Sequence, residues 1–247
     1  MGYLKEGPEL DVTVEERTLT VDGYDVPIVH ARPDGMPRAG VVLHPDLGGL
    51  RPLFSDMARR LATHGFTVCT FEPFATRSES ELRSIESRIS QVKELDDAQQ
   101  LEIFSSAADL LVVEDNISRV SVLGFCMGGH YTFKAAASDR FDAAVAFYGM
   151  LRTPDDWQGP GHTIEPLDVA ARMCPTLAIF GTIDKWTPAA DIDALRSAWQ
   201  GRSDCEIVII EGADHGFVHD PERDVHRAED AAACWTKAMD DVIAVES

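Results

Sequence analysis

Six short apolar runs constrain this chain more than any other feature: Ala39–His44, Phe66–Phe71, Val120–Leu123, Ala143–Tyr148, Thr176–Phe180 and Glu206–Ile210. Each is too short for a typical helix and reads as a strand, and the continuous apolar run Ala39–His44 is of the kind a strand buried on both faces shows. Helical patterns lie between them. Phe54, Met57, Ala58 and Leu61 share one face of a helix over Ser55–Thr63, which Gly65 stops. Further helices are expected around Leu101–Leu111, over Met127–Ala137 and Ala189–Trp199, and from about Pro221 to Ala244. Strands alternating with helices imply βαβ units, hence an α/β fold with a mostly parallel central sheet and helices on both faces. Ahead of them, Val12–Val14, Leu19–Val21 and Val26–Val29, turning at Asp22-Gly23, read as an N-terminal antiparallel hairpin.

No internal repeat or linker divides the 247 residues, so a single domain over 1–247 is expected. Residues 76–100 are strongly polar and read as an exposed helical excursion with no core stripe of their own. Residues 149–172, rich in Pro, Gly and Asp, read as irregular.

Composition removes several classes of function. The net charge of −20 disfavours nucleic acid and anionic membrane surfaces, which need clustered Lys and Arg. No apolar run reaches signal-peptide or membrane-span length. Cys69, Cys126, Cys174, Cys205 and Cys234 are odd in number and scattered, with no spacing suited to disulfides or zinc. A reduced, cytoplasmic protein is the expectation, monomeric or homodimeric. His44, Asp46, His215 and His219 are the only set that could converge on a metal, and their spacing does not argue for one, so neither metal nor cofactor is expected.

One cysteine stands apart. Gly124-Phe125-Cys126-Met127-Gly128-Gly129 joins the strand ending at Leu123 to the helix beginning at Met127. Glycines around a sharp strand-to-helix turn are what a nucleophile elbow requires, and here the tip is cysteine. A thiol with a free pKa of roughly 8.5 needs help to ionise near neutrality, from a helix N-terminus and from a base held by a carboxylate. Asp184, just past Thr176–Phe180, and His215, just past Glu206–Ile210, follow in the chain order nucleophile, acid, base. Asp214 is a competing acid, poorly placed to reach the neighbouring ring. Two backbone donors would complete an oxyanion hole: Met127 after the nucleophile, and a residue of His44-Pro45-Asp46-Leu47-Gly48-Gly49 after an earlier strand. That segment also reads as a plain Gly-rich turn.

These motifs, with Gly181-Thr182-Ile183-Asp184-Lys185-Trp186-Thr187-Pro188, Ala213-Asp214-His215-Gly216-Phe217 and Phe71-Glu72-Pro73-Phe74-Ala75, resemble the dienelactone hydrolase (carboxymethylenebutenolidase) family of the α/β-hydrolase superfamily. The resemblance spans roughly residues 12–245. It implies hydrolysis of a small ester or lactone through a cysteine thioester, without cofactor. It also implies Leu47 as the second oxyanion donor. Asp46 falls where the family has a glutamate that holds and switches the thiol, and is one methylene shorter. The family's two carboxylate-binding arginines match poorly: His219 occupies one position, and Arg77 lies near the other but reads equally as a solvated side chain. Trp186 and Phe217 could line an apolar pocket or belong to the core. A broad carboxylesterase or thioesterase, or an idle binding protein of the same fold, are the alternatives.

Overall fold

The computed structural model describes residues 4–8 and 11–243. Its centre is an eight-stranded sheet in the order β1-β2-β4-β3-β5-β6-β7-β8. The strands are β1 (Val12–Val21), β2 (Tyr24–Pro33), β3 (Ala39–His44), β4 (Phe66–Phe71), β5 (Val120–Phe125), β6 (Ala143–Phe147), β7 (Thr176–Gly181) and β8 (Cys205–Ile210). β1 and β2 form the antiparallel hairpin, and β2 joins the rest antiparallel to β4. From β4 to β8 every pairing is parallel. The hairpin turns through Asp22 and Gly23 at φ 49° and 85°, the left-handed pair that matches strand twist.

All residues of β3, β4, β5, β6 and β7 are buried, as their continuous apolar runs require. The period-two geometry of a strand then divides each between two cores. Val42, Val122, Ala144 and Ala178 face one core, and Val41, Leu123, Val145 and Ile179 the other. The helices are α1 (Pro52–Thr63), α2 (Ile85–Val92), α3 (Asp97–Asp115), α4 (Met127–Ala136), α5 (Pro166–Val169), α6 (Ala189–Ala198) and α7 (Ala228–Lys237). α1 and α7 pack on one face through Phe54, Met57, Leu61 and Trp235. α3, α4 and α6 cover the other through Ile103, Phe104, Phe133 and Leu195.

Two expectations need correction. The excursion at 76–100 does reach the core, because Val92 and Leu95 are fully covered. The last helix begins at Ala228, not Pro221, since residues 220–227 fold into turns. Arg223 N–H bonds Asp220 O, His226 N–H bonds Arg223 O, and Arg227 N–H reaches back to Phe217 O. These bonds use amides that a helical turn would need. The expected end at Ala244 lies outside the described residues. No described helix is long and apolar enough to cross a membrane.

Candidate active site

The loops after β3, β5, β6, β7 and β8 all leave the carboxyl edge of the parallel sheet, where open α/β sheets bind their ligands. Cys126 sits at the tip after β5 with φ 56° and ψ −116°, a conformation L side chains rarely adopt. Its backbone is fixed on both sides: Cys126 N–H donates to Phe147 O at 3.0 Å, and His130 N–H to Cys126 O at 3.0 Å. The turn is possible because its neighbours lack side chains. A Cβ on Gly124 would stand 2.3 Å from Gly128 O, and one on Gly128 would stand 2.3 Å from His44 O. The loop after β3 therefore rests directly on the first turn of α4.

His215 Nδ1 lies 2.8 Å from Asp184 Oδ2, with the Asp184 carboxylate buried. Asp184 Oδ1 accepts the Trp186 amide at 2.8 Å, which fixes the carboxylate plane. Burial opposes protonation of His215, yet the influence of the neighbouring Cys126 and the bond to Asp184 outweigh it and push the ring up to about 10. Asp214 instead accepts its neighbour's amide, His215 N–H, at 2.7 Å and serves the turn. The other thiols are in different surroundings: burial pushes Cys69, Cys174 and Cys234 up to about 12. All five cysteines are free.

The loop after β3 is held by two carboxylates. Gly48 N–H donates to Asp46 Oδ1 at 2.8 Å and Leu50 N–H to Glu72 Oε2 at 2.9 Å, while Gly49 N–H bonds Asp46 O at 2.9 Å. Among the described residues, the amides of Leu47 and Met127 donate to no protein acceptor. These are the two donors expected from the sequence.

Asp46 does not bond the thiol. Its carboxylate binds Arg51 through two nitrogens at 2.5 and 2.9 Å and accepts from His219 Nε2 at 2.7 Å. Three of the expected substrate contacts are placed elsewhere. His219 is fully buried and both its ring nitrogens are engaged, Nδ1 with Tyr148 Oη at 2.5 Å. Phe217 is fully buried against Tyr148, so it belongs to the core. The guanidinium of Arg77 donates to Glu94 O at 2.9 Å and ties the exit of β4 to the end of α2. Trp186 alone stays near the mouth, 49% exposed and 6.3 Å from the His215 ring between centroids, with Trp157 stacked at 6.4 Å.

Sequence reasoning missed Tyr148, Arg51 and Arg223. Tyr148 was detectable as the residue ending the strand beside the elbow; nothing local marks the other two. The Arg223 side chain is exposed and makes no hydrogen bond or ion pair among the described residues, and its guanidinium covers Gly216 so closely that a Cβ there would stand 1.9 Å from Nη1. No group of three or more described His, Cys, Asp or Glu side chains is arranged to hold a metal.

A model of the dienelactone hydrolase family matches residues 26–243. The chain belongs to the dienelactone hydrolase family. A relative from Methylorubrum extorquens, provisionally named a carboxymethylenebutenolidase, is 30% identical over 223 residues, 87% of this chain and 75% of its own. Another from a Bradyrhizobium species, provisionally named a 2-oxo-3-(5-oxofuran-2-ylidene)propanoate lactonase, is 28% identical and covered over 81% of each chain. The crystal structure of a provisionally assigned dienelactone hydrolase from Klebsiella pneumoniae superposes with a TM-score of 0.85 at 26% identity, over 93% of this chain and 98% of that one. The α/β-hydrolase fold and an ester or lactone hydrolase activity of the dienelactone hydrolase type follow from this membership.

Proposed function

We propose that this dienelactone hydrolase-family enzyme cleaves a small ester or lactone through a thioester on Cys126, with His215 as proton carrier and Asp184 as its anchor. The observation that carries the reading is His215 Nδ1 anchored 2.8 Å from the buried Asp184 carboxylate, at the same sheet edge as the strained Cys126 turn. For the attack the Cys126 thiol gives its proton to His215, forming a thiolate–imidazolium ion pair at the N-terminus of α4, whose dipole favours the negative charge.

The thiolate attacks the carbonyl carbon, and the carbonyl oxygen becomes an oxyanion facing the Leu47 and Met127 amides. As the tetrahedral species collapses, the C–O bond to the leaving group breaks and Nε2 of His215 gives that oxygen its proton. A thioester remains. Neutral His215 then takes a proton from water as the water oxygen adds to the thioester carbonyl. Collapse expels the thiolate and restores the ion pair, releasing the acid. With a lactone, both product groups leave on one molecule.

The direct test is Cys126→Ala, assayed on p-nitrophenyl acetate and on a small lactone, with iodoacetamide labelling followed by mass spectrometry. Hydrolysis and labelling at this position should both disappear. Wild-type hydrolysis in that variant would remove the cysteine mechanism and leave a different nucleophile to be found.

A further inference from the structure

Behind the reacting groups lies a buried chain of side chains that the proposed reaction does not use. It begins at Arg51 at the start of α1, passes through the Asp46 carboxylate to His219 Nε2, and leaves His219 Nδ1 for Tyr148 Oη. His219 and Tyr148 are both fully buried, so water does not compete for these bonds. Their direction can be assigned. Burial lowers the His219 pKa, whereas the His219 and Arg51 hydrogen bonds overcome burial and hold the Asp46 carboxyl well below the usual range. A neutral ring beside a carboxylate puts its proton on Nε2, which donates to Asp46. Nδ1 must then accept, so Tyr148 O–H donates to it.

The two ends of this chain are the two halves of the proposed site. Asp46 immediately precedes Leu47, and its Oδ1 also takes the Gly48 amide, so the carboxylate fixes the peptide on either side of the Leu47 N–H. Tyr148 immediately follows Phe147, whose carbonyl holds the Cys126 amide. Its own backbone has φ 39°, rare for a buried aromatic residue, and is kept there by Tyr148 N–H donating to Ile179 O at 2.7 Å. The Tyr148 ring stands edge-on to His215, with centroids 5.2 Å apart.

We infer that Arg51, Asp46, His219 and Tyr148 are positioning residues that lock the oxyanion loop to the strand end beside Cys126, so that the Leu47 amide stands ready before substrate arrives. This rests on the cysteine mechanism proposed above. A preorganised donor is worth about 10²- to 10³-fold in turnover, and misplacement by about 1 Å can cost 10²-fold. Alkylation of the thiolate by iodoacetamide develops no oxyanion, so it should not depend on the chain. That difference separates positioning from general damage to the site.

In His219→Leu, kcat for p-nitrophenyl acetate should fall by about 10²-fold with KM changed by less than about threefold, while iodoacetamide labelling of Cys126 stays within about twofold of wild type. His219→Gln, which can still donate to Asp46, should recover to within about tenfold of the wild-type kcat. If His219→Leu does not fold, the same split is read on Asp46→Asn, which preserves volume. A kcat within about threefold of wild type, or hydrolysis and labelling falling together, would overturn the assignment. Neither outcome touches the Cys126→Ala result, so failure of the chain and failure of the mechanism are separately visible.

Discussion

Replacing Asp184 with asparagine tests the electrostatics of the site at nearly constant shape. The Trp186 amide keeps its acceptor, because an asparagine oxygen can take the place of Oδ1. The atom facing His215 Nδ1 at 2.8 Å becomes an N–H donor, which favours a lone pair there and disfavours the imidazolium. Lifting His215 from 6.5 to about 10 corresponds to about 5 kcal/mol in favour of the protonated ring. Burial acts against that, and Asp184 and Cys126 together overcome it, so losing the Asp184 anchor lowers the ring's pKa from about 10. The sign follows from the direction of the shift: a raised pKa means the proton is present below that value and lost as pH rises through it. Wild-type kcat/KM for an unactivated alkyl ester, whose leaving oxygen needs the proton, should therefore hold until about pH 10 and then fall. In Asp184→Asn the basic limb should move down by one to two pH units, roughly, and the plateau should drop by about 10²-fold. A pH-stat series from about pH 7 to about pH 10.5 reads both quantities. An unmoved basic limb, or a plateau within about threefold of wild type, would refute the assignment of Asp184 as the anchor of His215.

Other perturbations probe the scaffold and the mouth of the site. Lys134 Nζ and Asp97 Oδ1 form a fully buried ion pair at 2.6 Å, and Asp97 Oδ2 also holds the Thr163 and Ile164 amides. Lys134→Met should lose about 3–5 kcal/mol in urea unfolding, and a loss under about 1 kcal/mol would show that Asp97 is satisfied without it. Gly128→Ala, whose Cβ would meet His44 O at 2.3 Å, should separate the oxyanion loop from α4 and lower ester turnover more than stability, which kinetics and thermal unfolding together can show. Arg223, exposed and unpaired among the described residues beside the His215 loop, should favour a substrate carboxylate on a chain of net charge −20. Arg223→Ala should raise KM for a carboxylate-bearing ester about five- to tenfold and leave a neutral ester unchanged. Arg77→Ala should show no such preference change, because its guanidinium is committed to Glu94 O.

The parts of the fold that were legible are those where burial alone writes the sequence. β3 and β4 have the boundaries read from their apolar runs, since a strand covered on both faces leaves little choice of residue. The order of Cys126, Asp184 and His215 was legible for a related reason: the first two follow strands covered on both faces, the third follows the partly exposed β8, and topology brings all three to one edge. What escaped the sequence depends on loops folding back. His219 and Phe217 sit in a segment with no periodicity, and they are buried because that segment folds back onto Tyr148, with His219 also stacked on Phe54 and Phe125. Val92 and Leu95 were hidden within a polar stretch because two apolar side chains suffice to anchor it. The shorter side chain of Asp46 was visible as a departure from the family pattern. Its partners were not, because Arg51 and His219 lie 5 and 173 residues away.

Strain and charge together explain why this arrangement is held so firmly. Cys126 and Tyr148 are both non-glycine residues in left-handed backbone on neighbouring strand ends, joined through the Cys126 N–H to Phe147 O bond. Such residues cost of order 1–3 kcal/mol each and persist only where the surroundings over-determine them. Here the surroundings are α4 packed against the His44–Pro45 backbone, the Tyr148–His219–Asp46 bonds and the parallel pairing of β5 with β6. In the proposed reaction a thiolate would add a negative charge to an already acidic chain, and the groups that would balance it are local: the His215 ring and the positive end of α4. On that proposal the centre is held rigid before substrate enters, and substrate selection falls to the surfaces outside it, where Trp186 and Arg223 are exposed.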